Sequence, residues 1–338
     1  MRLGFSRLLA GAIAAAAFCL PVAGNAQQPI NVVIALPAQT LTFSAPFLAE
    51  DAGFFKDEGL KVSYPVLVGV ASVNAVINGS ADFTIGTGPV FLRAAAKGQR
   101  LLAIANLMDR PMIELVMRKD VYEAMKANDQ MTLAERGKLL KDKTIAIQGV
   151  GSIVHAWPRL VAARGGLDPE NDMRIAPMEP PSMLPALLTK AVDGFATSLP
   201  YTTDAVLSGA AMMYASAPQG AAPDILPFAA ALVETKPDTC KADPDKCARV
   251  VRALARAVKM IRDKPDEALA IVRTHFKEMK PETLQTAWRV VSQAHAADLR
   301  VLPKGLENSE KVNVEAKLLD PNDVVRSYDG LYTDDFVR

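Results

Sequence analysis

Asp82-Phe-Thr-Ile-Gly-Thr-Gly-Pro-Val-Phe-Leu-Arg-Ala-Ala-Ala-Lys-Gly98 reads as one strand turning into one helix. The short apolar run up to Gly86 suits a buried strand. Thr87 has the chemistry of an N-cap, and Pro89 sits in the first turn, where its missing N–H costs nothing. Gly98 closes the helix after Lys97.

The same unit recurs on both sides. Upstream, Val32 to Leu36 predicts a strand, Ser44 to Asp51 a helix stopped by Gly53, Lys61 to Val68 a strand, and Ser72 to Ile77 a helix closed by Asn78-Gly79. Downstream, Leu101 to Ala105 completes the series. After a charged, helix-prone connector from Lys119 to Leu140 the rhythm restarts, with strands at Thr144 to Gln148, Met173 to Pro177, Val192 to Thr197 and Met212 to Ser216. Helices fall between them, after Gly149-Val-Gly-Ser152, over Ser182 to Lys190 and over Pro200 to Leu207. Strand–helix alternation of this kind implies an α/β chain with two tandem, mostly parallel sheets flanked by helices. Beyond Phe228, Asp243-Pro, Lys264-Pro and Lys280-Pro each place proline at a first helical position, and the helices they start are expected to pack back on the first sheet.

At the N-terminus, Arg2 and Arg7 precede an apolar run from Leu8 to Val22 that ends in Gly24-Asn-Ala26. A basic start, a short apolar core and small residues before the break describe a secretory signal peptide cleaved after Ala26. Phe18 precedes Cys19 where a lipoprotein site wants a small residue, so no lipid anchor is expected. The chain has 38 basic and 37 acidic residues; without Arg2 and Arg7 the balance is 36 against 37, which leaves no electrostatic footprint for nucleic acid. Cys240 and Cys247 remain, and an even count in an exported chain points to a disulfide. His155, His275 and His295 are scattered, so neither a metal site nor a cofactor is expected, and Gly149-Val-Gly151 lacks the third glycine of a dinucleotide loop.

Several stretches together resemble the periplasmic solute-binding proteins of ABC importers for nitrate, sulfonates, taurine and thiamine pyrimidine precursors. They are Ser44-Ala-Pro-Phe-Leu-Ala-Glu-Asp-Ala-Gly-Phe-Phe-Lys-Asp-Glu-Gly-Leu-Lys-Val62, Asn78-Gly-Ser-Ala-Asp-Phe-Thr-Ile-Gly86, Ala94-Ala-Ala-Lys-Gly98, Leu140-Lys-Asp-Lys-Thr-Ile-Ala-Ile-Gln-Gly-Val-Gly-Ser152, Gly166-Leu-Asp-Pro169 and Ala191-Val-Asp-Gly-Phe195. The resemblance implies a two-lobed clamp of the type II binding-protein kind: residues 27–110 in lobe 1, 111–228 in lobe 2, and 229–338 returning to lobe 1. It places crossovers near Met108 to Glu114 and Phe228 to Glu234. It also implies a monomer that is not an enzyme and that hands a small-molecule ligand to a membrane permease. The alternatives are an enzyme of the pyrimidine-precursor branch and a periplasmic sensor.

In parallel sheets ligands lie at the carboxyl ends of strands, where helix N-termini offer unpaired N–H groups. That rule selects Gln39, Thr42, Phe43, Ser44, Ser72, Thr87, Gly88, Gly149, Gly151, Ser152, His155 and Tyr201 as ligand-binding candidates, with Trp157 as further flat apolar surface. These residues are rich in hydroxyls and poor in cations, so the expected ligand is a small organic anion, a sulfonate or carboxylate, with an apolar body. Each hydroxyl also has an ordinary reading as a helix cap. Export predicts that N-terminal sequencing of periplasmic protein begins at Gln27, give or take a few residues; material retaining residues 1–20 in the membrane contradicts it.

Overall fold

The computed structural model describes residues 28–337, so the signal peptide and its cleavage site lie outside the described residues. The strands are β1 (Ile30–Ala35), β2 (Leu60–Ser63), β3 (Phe83–Gly86), β4 (Leu102–Asn106), β5 (Glu114–Arg118), β6 (Thr144–Ile147), β7 (Arg174–Pro177), β8 (Gly194–Thr197), β9 (Ala211–Ser216) and β10 (Leu232–Thr235). Between β1 and β5 lie α1 (Ser44–Asp51), α2 (Phe54–Asp57), α3 (Val70–Asn78) and α4 (Gly88–Ala96). Between β5 and β10 lie α5 (Lys119–Ala124), α6 (Leu133–Lys138), α7 (Ile153–Arg164), α8 (Pro180–Leu188) and α9 (Tyr201–Leu207). The chain ends in α10 (Pro237–Ala242), α11 (Pro244–Asp263), α12 (Pro265–Val272), α13 (Pro281–Ser292) and α14 (Pro303–Glu315).

Two five-stranded sheets result, in the orders β2-β1-β3-β10-β4 and β7-β6-β8-β5-β9. Each is parallel except for one strand. β10 runs antiparallel to β3 and β4, and β5 runs antiparallel to β8 and β9. The sequence reading placed crossovers where these strands begin and did not foresee the strands themselves. Both are short apolar runs next to polar connectors, where periodicity cannot separate strand from linker. A chain leaving the carboxyl end of one sheet for the other enters it from the opposite direction, hence the reversal.

The C-terminal helices do not all return to the first sheet. α11 packs on α1 and α2, as expected, but α14 lies against α4 and also against α7, and α13 touches α9 through a Thr283 Oγ1 to Asp204 hydrogen bond of 3.1 Å. Buried Arg159 of α7 donates to the Ala316 carbonyl at 2.7 Å and the Lys317 carbonyl at 3.2 Å, satisfying carbonyls at the end of α14. α7 runs unbroken through Pro158. Cys240 and Cys247 are disulfide-bonded across the junction of α10 and α11.

Local chemistry fixes α6 and α7. Thr132 and Glu135 form a reciprocal capping box at the start of α6. α6 then lies backbone to backbone on α7: a Cβ at Gly137 would run into the Val161 carbonyl and lie 2.7 Å from Gly165 N. Because neither partner is a flexible side chain, Gly137→Ala should cost about 1–3 kcal/mol. Urea unfolding checks this; an unchanged midpoint contradicts it.

Candidate functional site

The carboxyl ends of the two sheets face each other, and between them lies a cavity of about 50 Å³. Its walls come from the loops after β1, β2 and β3 on one side and after β6 and β8 on the other, with Pro111, Met112, Ile113, Phe228 and Ala230 of the crossovers closing its side. The lobes touch across it. Leu41 N–H donates to the Leu199 carbonyl at 3.1 Å, the Arg93 guanidinium donates to the Gly151 carbonyl, and a Cβ at Gly149 would meet Val68 at 2.6 Å. The cleft is therefore closed, with room for water or a small ligand fragment.

Of the residues chosen from sequence, Thr42, Phe43, Ser72, Thr87 and Ser152 line the cavity. The others do not, each for a local reason. Gln39 turns outward and donates to the His275 carbonyl at 2.8 Å, and Ser44 is buried and donates to the Leu41 carbonyl at 2.7 Å. Gly88 lies behind the wall, its N–H donating to the Ala229 carbonyl at 2.7 Å and its Cα side pressed on Ser309. Gly149 and Gly151 are spent on lobe-to-lobe contact. Tyr201 opens α9, half-buried, outside the cavity lining. Trp157 is core: its indole N–H donates to the Ala215 carbonyl at 3.1 Å.

His155 supports the site from behind. Gly151 N–H donates to its Nδ1 at 3.1 Å, which fixes the loop entering α7. Burial, with the Arg159 and Arg93 charges adding, pushes His155 down to about 4, so the ring is the neutral acceptor this bond requires. Burial likewise pushes Arg93 down to about 10.

The helix termini differ in what they can offer a ligand. At α4, Val90 and Phe91 N–H both return to the Thr87 carbonyl at 3.0 Å and Pro89 has none, so that end is internally satisfied. At α7, His155 and Ala156 N–H return to the Ser152 carbonyl, while Ile153 and Val154, both cavity-lining, occupy first-turn positions with no intrahelical acceptor. The Ser72 and Ser152 hydroxyls donate within their own turns, to Gly69 at 2.9 Å and Gly149 at 2.6 Å, and keep only acceptor capacity.

Among the described residues, eight buried side-chain polar atoms lack a partner, and six cluster around this cleft: the hydroxyls of Thr40, Thr42, Thr87 and Thr197 and both carboxyl oxygens of Glu234. Buried polar groups are normally paired, so such a concentration at one cavity marks where a bound molecule would supply the partners. The Thr42 and Thr87 hydroxyls line the cavity. No Asp, Glu, His, Lys, Arg or Cys is among the lining residues; the walls are apolar apart from the hydroxyls and Gln148. Sequence reasoning missed Gln148, Ile153, Val154 and the crossover residues. The strand-end rule pointed within a residue or two of the first three. The crossover residues carry no signal until the chain is closed on itself.

A protein-family model described as NMT1/THI5 like matches residues 41–268. No curated protein sequence matches the chain. Among solved structures, a protein of Bordetella bronchiseptica RB50 superposes with a TM-score of 0.76 at 22% identity, over 91% of this chain and 96% of that one. The alkanesulfonate-binding protein SsuA from Xanthomonas axonopodis pv. citri, bound to MOPS, gives 0.69 at 19% identity, over 88% and 96%. The periplasmic nitrate-binding protein NrtA from Synechocystis PCC 6803 gives 0.65 at 13% identity, over 91% and 87%. At these identities the likeness is one of fold, the two-lobed periplasmic binding-protein fold.

The His155 environment predicts a pH dependence. The folded value lies below the ordinary 6.5, so the unfolded chain binds the proton more readily, and the contribution of the neutral ring is present above pH 6.5 and lost as pH falls toward 4. The stability gap between wild-type and His155→Ala protein should therefore narrow across that window, by at most about 1.4 kcal/mol per pH unit. Urea unfolding at pH 6.5, 5.5 and 4.5 reads it; a gap that is constant or widens contradicts it.

Proposed function

The chain belongs to the NMT1/THI5-like family, and on that premise we propose that it is the periplasmic solute-binding component of an ABC importer, capturing a small organic anion of the sulfonate or carboxylate type. Residues 27–110 and 229–338 act as one lobe and 111–228 as the other, and ligand is held by their closure. A monomer of this kind delivers its ligand to a permease in the cytoplasmic membrane.

The observation that carries the reading is the pairing of two features in one cavity. The first-turn N–H groups of α7 meet the unpartnered Thr42 and Thr87 hydroxyls, inside walls that are otherwise apolar and free of cations. A helix N-terminus favours an anion by about 0.3–1 kcal/mol, and hydroxyls add directed donors, so one negative head is held without an ion pair. The apolar walls suit an alkyl or aryl body, worth about 25 cal/mol per Å² buried. A sugar bisphosphate would need cations that the lining lacks. Capture also fits better than chemistry: a hydroxyl-lined wall with no titratable side chain binds but offers no general acid or base. Closure follows from differential affinity, because the α7 loop and Thr87 come within reach of one ligand only when the lobes meet.

A thermal-shift panel of sulfonates, carboxylates, pyrimidines and nitrate tests the class, since a native-state ligand raises Tm. A sulfonate or carboxylate should give the largest rise. Thr42→Ala and Thr87→Ala, made separately, should each weaken it about tenfold by calorimetry, as expected for a lost hydrogen bond to a charged group. A cation or neutral sugar as the best ligand, or no loss in either variant, overturns the assignment.

A further inference from the structure

Among the described residues, Arg93 is a buried cation without a counter-ion. It stands in the last turn of α4, 9% exposed, and burial alone shifts its guanidinium, so no carboxylate lies close enough to meet the charge. A desolvated charge is costly unless it is hydrogen-bonded. Arg93 has two neutral acceptors, the Asn313 side-chain oxygen on α14 and the Gly151 carbonyl ahead of α7. The first belongs to its own lobe and the second to the other.

Lobe 1 presets the guanidinium. Asn313 is fully buried and both ends of its amide are used, Nδ2 donating to the Pro89 carbonyl at 2.9 Å and Oδ1 accepting from Arg93. Pro89 lies in the first turn of the helix that carries Arg93, so α4 and α14 hold the charged head without help from lobe 2. Gly151 is prepared on the far side. Its N–H is held by His155 Nδ1 at 3.1 Å, and its φ of +75° is a left-handed turn that glycine takes without strain, whereas a Cβ there would meet nothing. Glycine therefore serves the direction of this turn, which presents the carbonyl to Arg93. Of the side-chain hydrogen bonds that join the lobes, this one ends next to the cavity lining in the chain: Gly151 directly precedes Ser152, Ile153 and Val154. Arg159 and Arg164 instead reach the end of α14, and Thr283 reaches Asp204.

We infer that Arg93 is a closure latch, a positioning residue that touches no bound molecule: held out by Asn313, it takes the Gly151 carbonyl when the lobes meet and fixes the first turn of α7 over the cavity. The inference rests on the two-lobe binding reading above and places part of the closure free energy in a contact outside the cavity lining. When the lobes part, the guanidinium keeps Asn313 and exchanges the Gly151 carbonyl for water. The latch therefore biases the cleft toward closure by the net value of one charge-assisted hydrogen bond and does not lock it.

Two thiol measurements on the full mature protein test it without any ligand. A Cβ at Gly149 would lie 2.6 Å from Val68 Cγ1, so the pair Val68→Cys and Gly149→Cys, one on each lobe, is within disulfide reach only in the closed form. Its rate of cross-linking by oxidised glutathione reads closure, and Cys240 and Cys247, already bonded, add no free thiol. Ser72 lines the cavity and is 2% exposed, so alkylation of Ser72→Cys by a bulky maleimide reads opening. The ratio of the two rates follows the closed-to-open equilibrium wherever that equilibrium lies. Adding Arg93→Met should lower the ratio about tenfold, as for a lost hydrogen bond from a charged group, and Arg93→Lys, which keeps a charged donor, should recover part of it. Asn313→Leu leaves the guanidinium but removes its holder, and should lower the ratio as well; it decides the matter if Arg93→Met does not fold by circular dichroism. A ratio unchanged in Arg93→Met, or in Asn313→Leu where that variant decides, overturns the latch and leaves the two-lobe reading standing. Absence of any cross-link in the parent pair overturns the closed cleft and the latch together.

Discussion

Two strands that run against their neighbours hold this molecule together. β5 and β10 are each the continuation of a crossover, and each becomes an internal strand of the sheet it enters, paired on both edges. Both connections between the lobes are therefore anchored in hydrogen-bonded ladders. That anchoring also brings the carboxyl ends of the two sheets to face each other, and the cavity, its loops and its helix termini all follow from the arrangement.

Because the crossovers pass beside the cleft, they contribute wall as well as connection. Met112 and Ile113 lead into β5, and Phe228 and Ala230 lead into β10; all four line the cavity. A molecule held in this cavity would touch the two segments that join the lobes.

The back of the molecule adds a second tie. α14 lies on α4 of one sheet and on α7 of the other; Arg159 of α7 is bonded to the carbonyls just past its end, and Arg164 to Glu315 in its last turn at 2.8 Å and to Asp224 in the connection after β9 at 2.8–2.9 Å. α7 is also the helix whose N-terminus faces the cavity, and Gly137 sets it close on α6. α7, its cavity-facing first turn and its contact with α14 thus form one packed unit. Arg93 meets the same turn from the first lobe, so the loop from Gly149 to Ser152 is where front and back constraints converge.

Much of this was legible in the chain itself. Apolar periodicity and glycine stops marked eight of the ten strands to within a few residues, and the prolines opening α11, α12 and α13 lay where helix chemistry wants them, whereas Thr87 sits at the N-cap position of α4 without its hydroxyl capping the helix. Thr42, Phe43, Ser72, Thr87 and Ser152 were found because strand ends and helix starts are local features. What local features cannot carry is direction in space. Gln39 and Tyr201 share the loops of true lining residues and point elsewhere. Trp157 is one turn from the site and buried in the core, and β5 and β10 look like linkers until they find their neighbours. Nothing in the sequence around Glu234 distinguishes it from Glu114. One has hydroxyls within reach and the other has only the gap left by a glycine some 150 residues away, a difference that exists only once β10 lies beside β3. The sequence by itself determined the elements, since those depend on neighbours along the chain; tertiary structure decided which polar groups meet and which stay unpaired, since that depends on strands brought together from distant positions.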